Sequence, residues 1–436
     1  MKISTVAFLR IGTVAVDRTL AALAFGLAGL SAFAAGPLPP DYDACIRGAW
    51  PTIDDAEKRA ASCSKALQSK KLGLDEVALA RLARGAARVV LGANVVASDD
   101  FGEALAYYDQ NIDHHNPDAL ALYRRGVALE GLGRTDEALE NFTQAIGLDP
   151  RRSFTYLDRG VLLATRTRAF ERAIDDFNRA LELEPRNFTA LIARGSAYNR
   201  LGRNGLAIAD LDQAIAMAPQ SSDAYFWRAS ANVGVGNTAQ ALRDYDTAIR
   251  INPQNVAALV YRAGVYTVQG HFDLAIKDLN AAITIKSDDA DAFYNRGFAH
   301  FGKGEYEQAA SDYGFAISLK PRMATAYSNR CLARTMLGRD LVRALADCDT
   351  ALMLSPVSPN VRATRGIVYL KLGDPQLALN EYNTALELDP NKPDALYGRG
   401  LALIAAGKVV EGGTNKAAAI TLQPSIGDSF AKFGLK

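Results

Sequence analysis

Apolar and small residues recur along most of the chain with a period of 34 or 35 residues, and inside each period they keep the spacing of a helix. Between Leu120 and Pro150, Leu122, Gly126 and Leu129 fall at i, i+4, i+7. Leu132-Gly133 and a short polar stretch follow, then a second run at Ala138, Leu139, Phe142, Ala145 and Ile146. This spacing predicts two amphipathic helices joined by a glycine-containing turn. Pro150 closes the unit, because proline has no N–H to donate and disfavours helix in the residue before it. The pattern registers on nine Arg-small pairs, from Arg125-Gly126 through Arg228-Ala229 and Arg330-Cys331 to Arg399-Gly400. A fixed period of this length is the mark of a solenoid, in which each unit buries its apolar face on its neighbours.

The pattern closely resembles the tetratricopeptide repeat (TPR) family. That family places a small residue, two alanines and a closing proline at positions 8, 20, 27 and 32 of a 34-residue unit. Here the first unit has Gly126, Ala138, Ala145 and Pro150 there, and the match recurs through Ala207, Ala214 and Pro219 to Ala378, Ala385 and Pro390. The resemblance implies an all-α fold, a right-handed superhelical solenoid of antiparallel helix pairs. It gives two degenerate units over 41–116, nine regular units over 117–424 and a capping tail over 425–436. Position 7 departs from the family, which more often has an apolar residue where this chain has arginine. A carboxylate travels with that arginine at position 23: Asp176, Asp210, Asp244, Asp278, Asp312, Asp347 and Glu381. A ladder of Arg–carboxylate pairs is the favoured reading over a basic binding stripe. As exposed pairs they would contribute about 0–1 kcal/mol each.

Outside the regular units the chain changes character. Lys2, Arg10 and Arg18 precede an apolar run from Leu20 to Ala34, and Ala32-Phe33-Ala34 fits a small-x-small cleavage site. Residues 1–34 therefore read as a secretory signal peptide with a cut before Ala35. An uncleaved anchor is the rival, but the run falls short of the ~20 apolar residues of a spanning helix. Residues 35–40 are a proline-rich linker. Aligning Ala104 with position 20 puts about seven extra residues in an inter-helix turn around Val95 to Glu103, read as a tolerated loop. One extra residue falls near Thr165–Ala169 and another near Arg339–Val342. The last unit has Gly412 and Lys416 where its neighbours have alanine and a large apolar residue, which suggests a more polar outer helix at the open end. Phe430 and Phe433 are expected to fold back on it.

Net charge is +1, with 22% charged and 49% hydrophobic residues, which gives no electrostatic footprint for nucleic acid. No phosphate loop, Ser/His/Asp constellation or paired-acid site is present in the sequence, so no catalytic residue, cofactor or metal site is expected. Cys331 and Cys348 occupy positions 8 and 24 of one unit. Cys45 and Cys63 occupy the corresponding places of a degenerate one. Those positions face each other across a helix pair, which argues for disulfides Cys45–Cys63 and Cys331–Cys348, against four buried thiols as the alternative. An exported protein would retain them.

In the family resembled, positions 2, 5, 6, 9, 12 and 13 of the first helices face the ligand. Carried over, they give Tyr294, Asn295, Phe298, Phe301, Ser328, Asn329 and Thr335 as a candidate peptide-binding patch, with Phe226, Ser230 and Asn199 elsewhere on the same face. Asparagine amides can bond a peptide backbone and aromatic rings supply contact area; packing between neighbours is the competing reading. The family's carboxylate clamp needs cations at position 2, and Thr325, Asn360 and Asp394 stand there. The expected function is a non-enzymatic periplasmic scaffold, without a membrane span in its mature form, that binds a protein or peptide partner. The alternative is a glycan-binding or structural component of an envelope assembly. The sequence leaves the oligomeric state open.

Overall fold

Six of the predicted first helices begin at a residue whose side chain takes over an unpaired backbone N–H. Asp118, Asn187, Ser221, Asn255, Asp289 and Ser358 all do so in the computed structural model. The structure describes residues 39–47, 53–69, 71–113 and 115–435, and among them no strand occurs. The signal segment 1–34 lies outside the described residues, as does most of the linker. The chain divides into two compact units, one ending at Pro253 and the other running from Gln254 to Lys436. Both are stacks of antiparallel helix pairs.

The N-terminal unit holds α1 (Pro40–Arg47), α2 (Ile53–Gln68), α3 (Leu74–Val90), α4 (Asn94–Asn111), α5 (Ala119–Gly131), α6 (Thr135–Leu148), α7 (Ser153–Leu162), α8 (Phe170–Leu183), α9 (Phe188–Arg200), α10 (Asn204–Met217), α11 (Ser222–Gly234) and α12 (Thr238–Ile251). The C-terminal unit holds α13 (Val256–Val268), α14 (Phe272–Ile285), α15 (Ala290–Lys303), α16 (Tyr306–Leu319), α17 (Ala324–Leu337), α18 (Leu341–Leu354), α19 (Pro359–Leu372), α20 (Pro375–Leu388), α21 (Pro393–Ala405), α22 (Val409–Leu422) and α23 (Ile426–Ala431). Glycine in the turn between paired helices takes a left-handed conformation, as at Gly133 and Gly304 (φ +73° and +87°), where a side chain would be strained.

The small residue at position 8 exists to admit a ring from position 24. A Cβ on Gly126 would sit 2.7 Å from Phe142, and one on Gly366 would sit 2.7 Å from Tyr382. Two repeats replace that contact with a covalent one. Cys331 and Cys348 lie at disulfide-bonding distance with Cα atoms 5.6 Å apart, and Cys45 and Cys63 with Cα atoms 4.6 Å apart. Cys331→Ser with Cys348→Ser is therefore expected to destabilise the C-terminal unit by about 3 kcal/mol. Cys331→Gly with Cys348→Tyr, the pair used by both neighbouring repeats, should recover most of the loss. Non-reducing thermal melts of the two double variants decide between them.

The ladder is built, but it is not the exposed one expected. Bidentate pairs join Arg159 to Asp176, Arg194 to Asp210, Arg228 to Asp244, Arg262 to Asp278, Arg296 to Asp312 and Arg330 to Asp347, each with its shortest N–O distance at 2.6–2.7 Å. The carboxylates are buried. The remaining guanidinium nitrogen reaches back to the preceding repeat: Arg194 to Asn178 (2.8 Å), Arg228 to Asp212 and Arg296 to Asn280 (both 2.7 Å). One arginine thus ties three helices. Several also lie over a ring three residues earlier, as Arg296 does over Phe293 at 5.3 Å.

The loop expected at Val95–Glu103 does not exist. Those residues lie in α4, and Arg84 forks onto Asp100 at a separation of 16, the spacing found in regular repeats. Ala97, not Ala104, therefore occupies position 20, and both are buried. Two alanines seven residues apart are interchangeable by type, and only the ion pair distinguishes them. The extra residues extend α4 to Asn111 and lengthen the connection that follows. The single extra residues are absorbed differently. One makes a π-helical turn over Leu163–Thr167 ending at Arg168 (φ 57°), and the other leaves Asp340 at φ 58°. The outer helix α22 is also less polar than expected: Val409, Val410, Ile420 and Leu422 are exposed on it.

Candidate functional site

The candidate surface falls in both units. In the N-terminal unit the three candidate residues engage one another's helices. Phe226 is 1% exposed and packs edge-on to Trp227 at 5.0 Å. Asn199 donates to the Trp227 carbonyl at 3.4 Å, and Ser230 donates to the Asn199 side-chain oxygen at 3.5 Å. Asn199 and Ser230 remain half-buried, and with Phe226 they tie α9 to α11.

In the C-terminal unit the first helices α15, α17, α19 and α21 leave a cavity of about 440 Å³. Tyr294, Phe298 and Phe301 line it from α15, and Ser328, Asn329 and Leu332 from α17. The amide of Asn329 donates to the Tyr294 hydroxyl at 3.0 Å, which fixes the ring between repeats. Burial pushes the Tyr294 hydroxyl's pKa up, so it stays a neutral donor and acceptor. Two members of the sequence-derived patch stand behind the wall instead of in it. Asn295 is 7% exposed and Thr335 is fully buried, with its hydroxyl on the Cys331 carbonyl at 2.7 Å and its own carbonyl bonded to Lys371.

The structure adds residues outside the candidate patch, of which Asn360, Asp394 and Thr364 hold ligand-facing positions and Lys392 does not. Asn360 and Thr364 of α19 lie on the rim, as do Lys392 and Asp394 at the start of α21. Lys392 precedes position 1 of its repeat, which is why a search for cations at position 2 passes it over. Its ammonium bonds the Asn360 side-chain oxygen at 2.5 Å and lies 3.2 Å from Asp394, so the rim carries no unbalanced charge there. Ile426, Phe430 and Phe433 close one end. Their i, i+4, i+7 spacing is the signal that could have placed them on one face. The site thus offers aromatic and aliphatic walls with hydroxyl and amide groups between them. Among the described residues, no group of three or more His, Cys, Asp or Glu side chains could hold a metal ion, and no helix is long and apolar enough to cross a membrane.

Among curated proteins none matches this chain. Solved structures resembling it include the APC/C hetero-tetramer Cut9–Hcn1, at 14% identity over 88% of this chain and 90% of that one, with a TM-score of 0.49. A tetratricopeptide repeat protein from Parabacteroides merdae aligns at 21% identity over 62% and 98%, with a TM-score of 0.42. YrrB, a TPR protein with an unusual peptide-binding site, aligns at 19% over 43% and 97%, with a TM-score of 0.39. Tetratricopeptide repeat models match residues 119–152, 157–222, 200–233, 222–255, 290–323 and 332–399, and a TPR repeat model matches 263–304. Those matches cover more than half of the chain, and with the stacked helix pairs they make it a member of the tetratricopeptide repeat family, a protein-interaction scaffold.

Proposed function

We propose that this chain is a non-enzymatic adaptor of the cell envelope that holds a peptide or protein segment in the groove of its C-terminal unit. The cavity lined by Tyr294, Phe298, Phe301, Ser328 and Asn329 carries this reading, because it combines open aromatic area with amide and hydroxyl groups at a partner's backbone height. The two cysteine pairs and the leader over 1–34 support export to an oxidising compartment.

A photo-cross-linking residue placed at Ser328 in the tagged full chain tests the groove. It is expected to capture one protein. Phe298→Ala with Asn329→Ala should reduce that capture roughly tenfold or more, equivalent to about 1.4 kcal/mol or above, while helicity stays unchanged and stability falls only by the lost Asn329–Tyr294 bond, about 1 kcal/mol. Capture that is indifferent to the double replacement would sink the groove assignment, and recovery of a glycan in place of a protein would favour the sugar-binding alternative.

A further inference from the structure

The segment following the last repeat is held to its unit by apolar contacts. Ile426, Phe430 and Phe433 are 2%, 1% and 7% exposed. The Phe430 ring lies 4.8 Å from that of Tyr397 and 6.1 Å from that of Phe433. They join the cluster of Ile367, Leu396 and Leu401. Among the described residues, the one polar side-chain bond made by Ser425–Leu435 is internal, from the Ser429 hydroxyl to the Ser425 carbonyl. The helix α23 is only Ile426–Ala431, six residues, and so short a helix is not stable alone. Its docked side chains line the cavity whose other end is Tyr294, Phe298 and Asn329. One end of the groove is thus already occupied, by a part of the chain with little to hold it except a three-residue apolar face.

We propose that Ile426–Phe433 is a built-in occupant of the groove, and that the partner is a protein carrying a helical segment of the same pattern, an apolar residue followed by aromatics four and seven residues on, which displaces it. This rests on the reading of the groove as a peptide site. The neighbouring charges are already paired, Lys392 with Asn360 and Asp394, so the partner's docking face is uncharged. Displacement exchanges one apolar face for another and needs no other rearrangement of the first helices.

The probe is a fluorescein-labelled peptide of residues 425–436, titrated by anisotropy against the full chain and against its Phe430→Ala/Phe433→Ala variant. The variant is expected to bind the peptide. The unaltered chain should bind it at least tenfold more weakly, because its own segment is present at an effective concentration in the millimolar range. A peptide with both phenylalanines replaced should bind neither. Hydrogen exchange reports whether 426–433 has left its seat in the variant. Equal binding to both chains, or no binding to a variant whose segment is undocked, overturns the proposal. A segment that stays docked without its two rings overturns it as well. Phe430→Ala alone replaces the double variant if that loses helicity. Lost cross-linking at Ser328 with probe binding kept would fault the groove reading and spare the seat, and the converse would fault the seat alone.

Discussion

Asp244→Ala is expected to lower the stability of the N-terminal unit by about 2–3 kcal/mol, the cost of losing a charge-assisted fork on a buried carboxylate. The Asp244 side chain is only 3% exposed, and it accepts from Arg228 at 2.9 and 2.7 Å. Without it, the guanidinium keeps Asp212 of the preceding repeat at 2.7 Å and the Tyr225 ring at 5.5 Å, but loses its fork. Arg228→Met with Asp244→Leu removes both charges and is expected to recover most of the loss, since a buried pair replaced by apolar groups is often neutral in stability. Urea denaturation of the two variants gives the answer. If Asp244→Ala alone costs under 1 kcal/mol, the ladder behaves as an exposed one.

The second large effect is a dependence on pH. Glu130 is 6% exposed, and burial raises its pKa to about 8 from 4.5. Asp158, 1% exposed, is held well above the ordinary carboxylate range by burial, although the Tyr123 hydroxyl donates to it at 2.7 Å across the repeat boundary. The charged groups bearing on these two carboxyls are Arg166, which favours the ionised Glu130, and Glu130 itself, which raises Asp158 further. A carboxyl whose folded pKa exceeds its unfolded value binds its proton more tightly when folded. Stability from Glu130 is therefore full below about pH 4.5 and is lost as pH rises towards about 8. At 1.36 kcal/mol per unit, the loss is up to about 5 kcal/mol. Glu130→Gln should remove most of it, leaving the protein more stable than its parent at pH 8.5 and little changed at pH 4.5. Parallel denaturation curves for the two proteins across that range would contradict this.

Both effects lie in side chains whose type was plain in the sequence but whose surroundings were not. Arg228 and Asp244 could be paired from their recurring spacing, yet the same spacing suits an exposed pair and a buried one. Glu130 occupies a position that the family resemblance turns towards ligand, and in this unit neighbouring side chains close over it. Phe226 shares that fate, and Asn295 and Thr335 share it in the C-terminal unit. Position in the repeat sets the direction in which a side chain leaves its helix. Whether it then meets solvent depends on the size of what comes from the next repeat.

The sequence by itself determined the helix pairs, their period and the pairing of the four cysteines, because all of these follow from contacts within one repeat or between adjacent ones. Residues at fixed separations such as Gly126 and Phe142, or Cys331 and Cys348, carry that information locally. Only the tertiary structure decided which of two alanines sets the register near Arg84, since Ala97 and Ala104 are alike until Asp100 is seen on the arginine. It also decided that the open groove lies along α15 to α21 and that Phe430 and Phe433 close its end. Those outcomes depend on the summed volumes of side chains brought together from several repeats, and no period in the sequence records such a sum.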